Sequence, residues 1–343
     1  MAQGNKYGMH RVLEPKGVMP QTAVKIDNNM DIYDNEILID VKALNIDSAS
    51  FTQIEEASDH DTARIADMIR QIVDERGKMQ NPVTGSGGML IGTVEKIGSD
   101  LDIDLKVGDK IATLVSLSLT PLRIDEIINI EPEIDRVTIK GKAILFESGI
   151  YAKLPEDMPE SLALAALDIA GAPAQTAKLV KPGDSVLILG AAGKSGLMCC
   201  YEAKKRVGPT GRVVGLDYGE AAREKLESYG FCHEVIIGDA TKPIEILEKA
   251  LAANNGREYD LSINVVNVPN TEMSSIVPVK DEGTVYFFSM ATSFTKAALG
   301  AEGIGKDITM IIGNGYTKGH AEITLEELRE SETMRKIFEG TYK

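Results

Sequence analysis

Cysteine, positive charge and long apolar runs are all in short supply in this chain, and each shortage excludes a class of protein. Its three cysteines, Cys199, Cys200 and Cys232, form neither a disulfide framework nor a C-x-x-C metal spacing. A reducing compartment, the cytoplasm, is the expected location. Thirty-seven basic residues face 52 acidic ones, a net charge of -15, which repels phosphate backbones and anionic lipid surfaces. Neither nucleic acid nor membrane is an expected partner. No apolar run approaches the about 20 residues that span a bilayer, and the opening MAQGNK lacks the apolar stretch of a secretion signal. Internal repeats and low-complexity tracts are also missing.

What is present is ordinary globular composition, 43% hydrophobic and 26% charged. At 343 residues the chain exceeds the size at which one core stops growing, so two domains are expected. EILIDVKALN (36–45) alternates apolar and polar residues like a half-buried strand. From 56 to 78, Ala63, Ala66, Ile69, Ile72 and Val73 recur at helical spacing, with Asp59 or Asp61 as cap and Gly77 near the end. Gly85-Ser86-Gly87-Gly88, MLIGTVEKIGSDL and VGDKIA then read as short strands joined by turns. This predicts a small β-rich domain.

Beyond Pro155, strands alternate with helices, which predicts an α/β domain with a doubly wound parallel sheet and a boundary near 150. The strands are SVLILG (185–190), RVVGLD (212–217), EVIIGD (234–239), LSINVV (261–266), TVYFFS (284–289) and ITMIIG (308–313). A last helix at about 325–338 is expected to return to the first domain.

The first of these strands runs into Gly190-Ala191-Ala192-Gly193-Lys194-Ser195-Gly196, a glycine loop opening a helix. Such a loop suits a pyrophosphate: glycines let the backbone approach, and amides at the helix start donate to the anion. Asp217 ends the next strand, where a carboxylate accepts hydrogen bonds from ribose hydroxyls and repels the extra phosphate of NADP. NAD is the expected cofactor. Lys194 either pairs with the pyrophosphate or is a solvated loop lysine. A P-loop is excluded, because its first glycine would fall on Ile188.

LPEDMPESLALAAL, KPGDSVLILGAAGKSG and GRVVGLD, with GTVEKIGSDL and KVGDKIAT upstream, resemble the medium-chain dehydrogenase/reductase superfamily. The resemblance implies a GroES-like catalytic domain from 1–150 and 317–343 around a Rossmann domain at 151–316, in a homodimer or homotetramer. It also places Asp239 and Ala240 near the adenine, and Val266, Asn267 and Ser289 along the nicotinamide side. Where zinc-dependent members carry ligands, this chain reads Asn45, Ser86 and approximately Asp168, a set with no thiolate or imidazole. A zinc-independent site is expected.

NIDSASFTQI, NPVTGSGGMLIGTVEKIG and GMHRVLEPKGVMPQTA are similar to a zinc-free branch of that superfamily, which implies NAD-dependent oxidative deamination of a small diamino acid from lysine degradation. Such chemistry needs a base or proton shuttle. By position in the family, Asp47 is the first candidate, as a base or ammonium holder; a cap of the following turn is the other reading. Asp168 lies in the apolar stretch AALDIAGAPAQ, where a carboxylate needs a cation, either a substrate ammonium or a residue such as Lys178. Ser48 and Ser86 are nearby hydroxyls for a relay. His60 reads as an exposed helix-end residue, and Cys199 and Cys200 as core. A zinc-free quinone or enoyl reductase, or a non-catalytic dinucleotide-binding protein, stays open as an alternative.

Overall fold

A strand that alternates apolar and polar residues buries one face, whereas an unbroken apolar run makes a strand covered on both. Each kind dominates one half of the chain. A computed structural model describes residues 3–313 and 315–341; Met1, Ala2, Asn314, Tyr342 and Lys343 lie outside the described residues. It divides into two compact units, Met1–Asp157 and Met158–Lys343.

The first unit runs β1 (Val12–Glu14), β2 (Lys25–Ile26), β3 (Glu36–Asn45), α1 (Ser48–Ala57), α2 (Thr62–Arg76), β4 (Met89–Ile97), β5 (Lys110–Thr113), β6 (Leu122–Glu131), β7 (Arg136–Phe146) and β8 (Tyr151–Lys153). The last six strands to join a common sheet lie in the order β6-β7-β3-β4-β5-β8, every pair antiparallel. β3 occupies the predicted 36–45. Because β8 pairs with β5, the unit extends past the expected boundary at 150.

The helix expected over 56–78 is present as α2, Thr62–Arg76, starting later than 56 and preceded by a separate helix, α1, that was not expected. Asp59 and His60 both adopt left-handed φ, 53° and 59°, which no helix accommodates. Asp61 then caps α2 through Ala63 and Arg64, and Gly77 ends it. Ile65, Ile69, Ile72 and Val73 form its buried stripe, and Ala63, expected on that stripe, is exposed.

One buried ion pair ties the start of this unit to its sheet. The Arg11 guanidinium donates from Nε to Glu36 Oε1 at 2.7 Å and from Nη2 to Oε2 at 2.6 Å. Burial alone would raise the Glu36 carboxyl, but the bonds from Arg11, His10 and Tyr33 outweigh it and hold it down at about 2. Removing one partner of such a pair costs about 3–5 kcal/mol, because the other charge is left buried and unpaired.

The second unit runs α3 (Glu160–Leu167), α4 (Gly171–Leu179), β9 (Ser185–Leu189), α5 (Lys194–Val207), β10 (Arg212–Asp217), α6 (Glu220–Tyr229), β11 (Glu234–Ile237), α7 (Pro243–Ala253), β12 (Tyr259–Asn264), α8 (Glu272–Ile276), β13 (Val279–Phe287), α9 (Phe294–Ile304), β14 (Thr309–Ile312), α10 (His320–Glu330) and α11 (Glu332–Thr341). Its strands all run parallel, in the order β11-β10-β9-β12-β13-β14. This is the doubly wound Rossmann order, with its switch point between β9 and β12. All six predicted strands are present.

The closing segment differs from expectation. It forms two helices divided at Ser331. The main contacts of α10 are with α3, α4, α5 and α11, and those of α11 with α3 and α10. The apolar faces decide this: Leu325, Leu328, Met334 and Phe338 are buried there.

Glu327 sits on the same buried face of α10, and neither of its carboxylate oxygens has a hydrogen-bond partner; Oε2 of Glu202 on α5 has no hydrogen bond either, its nearest cation being Lys205 at 4.0 Å. Burial pushes the Glu327 carboxyl well above the usual carboxylate range, and the negative charge of Glu202 pushes the same way. A folded-state pKa raised above the unfolded one gives stability that is full below the unfolded value and is lost as pH rises through the folded value. We therefore expect the melting temperature to fall as pH rises through the raised pKa, with a limiting slope of about 1.4 kcal/mol per pH unit. Glu327→Gln should flatten that slope in thermal melts across pH 5–9; an unchanged slope would show that another group carries it.

Candidate active site

In the second unit, β9 delivers the chain into the glycine loop and α5 leaves it. Gly193 precedes α5 and no side chain caps the helix, so its first-turn amides, at Lys194, Ser195 and Gly196, keep the anion-attracting end of the helix dipole. Gly196 is required sterically: a Cβ there would lie 2.0 Å from the Gly190 carbonyl oxygen. Opposite the loop, a cavity is lined by Gly190, Leu216, Asp217, Tyr218, Gly238, Asp239, Ala240, Thr241, Val266 and Val268. The predicted residues Asp217, Asp239, Ala240 and Val266 thus meet around one space.

Asp217 does more than its position at the end of β10 predicts. Its Oδ2 accepts from the Ala192 amide of the loop at 2.7 Å, and its Oδ1 from Tyr218 N at 2.7 Å. An ionised carboxylate has about four acceptor sites, so it can hold the loop and still accept from a ribose. Asp239 closes a turn by accepting from the amide and hydroxyl of Thr241, which hold its carboxyl below the usual range. Val266 N donates to Asn264 Oδ1, and Asn264 Nδ2 donates to Thr271 and Ser275. Asn267 is exposed, and Ser289 is buried with its hydroxyl accepting from Ala291 N. The loop, helix start and carboxylate together fit a dinucleotide.

Asp168 corrects its expectation. It is not a buried carboxylate: it ends α3 on an exposed turn, its side chain 62% accessible, and pairs at 2.6 Å with Lys194 rather than Lys178. The apolar neighbours that suggested burial face inward while the turn between α3 and α4 points residue 168 outward. Lys194 in turn is tied to Asp168 beside the loop.

The first unit carries a separate polar cluster. Asp47 caps α1, its Oδ1 accepting from Ser50 N at 3.2 Å, while its Oδ2 is buried with no partner. Asn45 Oδ1, two residues earlier, is buried and unpartnered as well. Ser86 is held by a loop whose Gly88, at φ 109°, passes so close to β3 that a Cβ would lie 2.1 Å from Asn45 O.

Sequence reasoning missed the centre of this cluster. The Ser50 Oγ lies 2.6 Å from Thr84 Oγ1 and 2.7 Å from Ser86 Oγ, and those two are 3.1 Å apart. Ser48, the expected relay, instead donates to Asp135 Oδ2 at 2.5 Å. Helical phase accounts for the exchange, since positions two apart point to opposite sides. The buried Asn81 fixes the assembly by donating to Ser50 O and Gln53 Oε1. Among the described residues, no three His, Cys, Asp or Glu side chains gather as a possible metal site. His60 is exposed, 3.3 Å from Glu55, and Cys199 and Cys200 are buried.

Comparison with known proteins adds names to this geometry. Residues 10–155 match the model of the L-erythro-3,5-diaminohexanoate dehydrogenase N-terminal domain. An L-erythro-3,5-diaminohexanoate dehydrogenase of Acetoanaerobium sticklandii is 76% identical, over 99% of both chains. The enzyme of that name from Fusobacterium nucleatum is 70% identical, over 100% of both. Among solved structures, a quinone oxidoreductase of Pseudomonas syringae shares the fold with a TM-score of 0.51 and 18% identity, over 93% of this chain and 85% of that one.

The cradle makes one direct prediction. Gly196→Ala should weaken binding of a nicotinamide dinucleotide at least about tenfold, because backbone must move to admit the Cβ. Titration followed by nucleotide fluorescence reads it, and unchanged affinity would remove the loop from the cofactor site.

Proposed function

Because the chain belongs to the L-erythro-3,5-diaminohexanoate dehydrogenase family, we propose that it oxidises 3,5-diaminohexanoate with NAD to 5-amino-3-oxohexanoate and ammonium. The observation that carries the reading is the dinucleotide cradle closed by Asp217 in the second unit, and in the first unit the unpartnered Asp47 Oδ2 supports it. A bound nicotinamide supplies a hydride acceptor.

The protein's own residues manage protons. A protonated amine cannot release hydride, so one ammonium proton must leave first, and we assign its uptake to the Asp47 carboxylate, whose Oδ2 has no partner. Hydride loss then gives the iminium, and water converts it to ketone and ammonium. One protonated amine, one water and one NAD thus yield ketone, ammonium, reduced cofactor and one proton. The linked hydroxyls of Ser50, Thr84 and Ser86 can pass a proton among themselves by rotation. We assign Lys194 to the pyrophosphate, with Asp168 positioning it. Ser195, Asn267 and Ser289 remain proposed cofactor contacts.

Selection of NAD follows from charge. A 2′-phosphate would face Asp217, and the next cation along the chain, Arg223, is already engaged by Glu220 and Glu227. Self-association is proposed from the edge strand β14, which carries the exposed Ile312, and from the exposed Met290, Phe294 and Leu299. No helix among the described residues is long and apolar enough to cross a membrane, and the three unpaired cysteines suit the cytoplasm.

Purified, chelator-treated protein should reduce NAD in the presence of 3,5-diaminohexanoate, with NADP a poorer acceptor. Asp47→Asn should lower kcat by about 10²-fold or more while leaving NAD affinity unchanged, and Asp217→Ala should narrow the cofactor preference. Turnover that survives in Asp47→Asn would remove Asp47 as the base.

A further inference from the structure

Two buried acceptors lacking donors stand two residues apart on one strand end. Asn45 closes β3, and Asp47 continues extended, at φ -63° and ψ 145°. Side chains two apart on an extended backbone project to the same face, about 7 Å apart along the chain. Ile46 between them points the other way, into the hydrophobic core at 2% exposure. Asn45 Oδ1 and Asp47 Oδ2 are therefore neighbours on one face, each buried and each without a donor. An acceptor left in that state has lost its water hydrogen bonds without replacement. Two at such spacing call for a ligand that brings two donors.

The proposed substrate carries two ammonium groups on alternate carbons. We infer that Asn45 and Asp47 read this 1,3-diamine together: Asp47 receives the ammonium on C3 and Asn45 the ammonium on C5. This rests on the functional reading above and adds a residue to it, since Asn45 otherwise only marks where a zinc ligand is lacking. The two acceptors differ in the way regiochemistry requires. A carboxylate can take the proton that must leave before hydride transfer, whereas an amide oxygen is far too weak a base to do so. The amine at Asn45 thus stays protonated and cannot lose hydride, and the amine at Asp47 reacts. Asn45 is a specificity residue that fixes which carbon is oxidised and distinguishes a diamine from a monoamine.

The test compares 3,5-diaminohexanoate with 3-aminohexanoate on wild type and Asn45→Leu, a change that keeps the volume and removes the acceptor. In the variant KM for the diamine should rise at least about tenfold with kcat little changed, while kinetics with the monoamine stay within about twofold. Asn45→Asp restores an acceptor and should recover the diamine KM, and its second carboxylate should yield some product oxidised at C5, visible by mass spectrometry and NMR. Dinucleotide binding and melting curves establish that both variants fold, and Asn45→Asp carries the test alone if Asn45→Leu does not. Equal losses on both substrates, or no change on either, would overturn the role of Asn45 while leaving the dehydrogenase reading intact. If wild type oxidises neither amine with NAD, the functional reading falls and this inference with it.

Discussion

A polar atom taken out of water needs a partner, and the way this chain meets or leaves that requirement organises both of its units. Arg11 and Glu36 meet it fully, with five donors arranged on two carboxylate oxygens and nearby carbonyls, and so anchor the first unit's opening segment to β3. Asp217 meets it by accepting from the Ala192 amide of the glycine loop, which ties that loop to the end of β10. Glu327 leaves it unmet on α10, where burial raises its carboxyl well above the usual carboxylate range. Asn45 and Asp47 also leave it unmet, at the end of β3 and at the cap of α1.

Most of the second unit was legible in the sequence because its strands are buried on both faces. An unbroken run such as SVLIL has no other good environment, and the glycine loop that follows it admits few geometries. The losses came where tertiary context overrules local pattern. Asp168 is surrounded in sequence by alanine and leucine yet stands outside, because the turn after α3 rotates it away from them. Its partner is 26 residues along the chain, a distance no periodicity reveals.

In the first unit the strand at 36–45 and the cap at Asp61 were readable, and the centre of the polar cluster was not. Ser50 lies in a helix that amphipathic spacing marks only weakly, and its partners come from a loop more than thirty residues away. Left-handed residues at 59 and 60 delay the start of α2 to the Asp61 cap. The two closing helices are readable as amphipathic segments, but the surface receiving them depends on packing between α3, α4 and α5.

Family membership sets the quinone-reductase and non-catalytic alternatives behind the dehydrogenase reading, since the likeness to the quinone oxidoreductase is one of fold only. What separates amine oxidation from those alternatives is the fate of one nitrogen and one hydrogen. The most direct test is to supply 3,5-diaminohexanoate carrying deuterium and nitrogen-15 at C3 and to follow both labels. The account predicts deuterium on the reduced nicotinamide and nitrogen-15 in free ammonium, in equal amounts. Nitrogen-15 retained in the organic product, or a nicotinamide without deuterium, would contradict it.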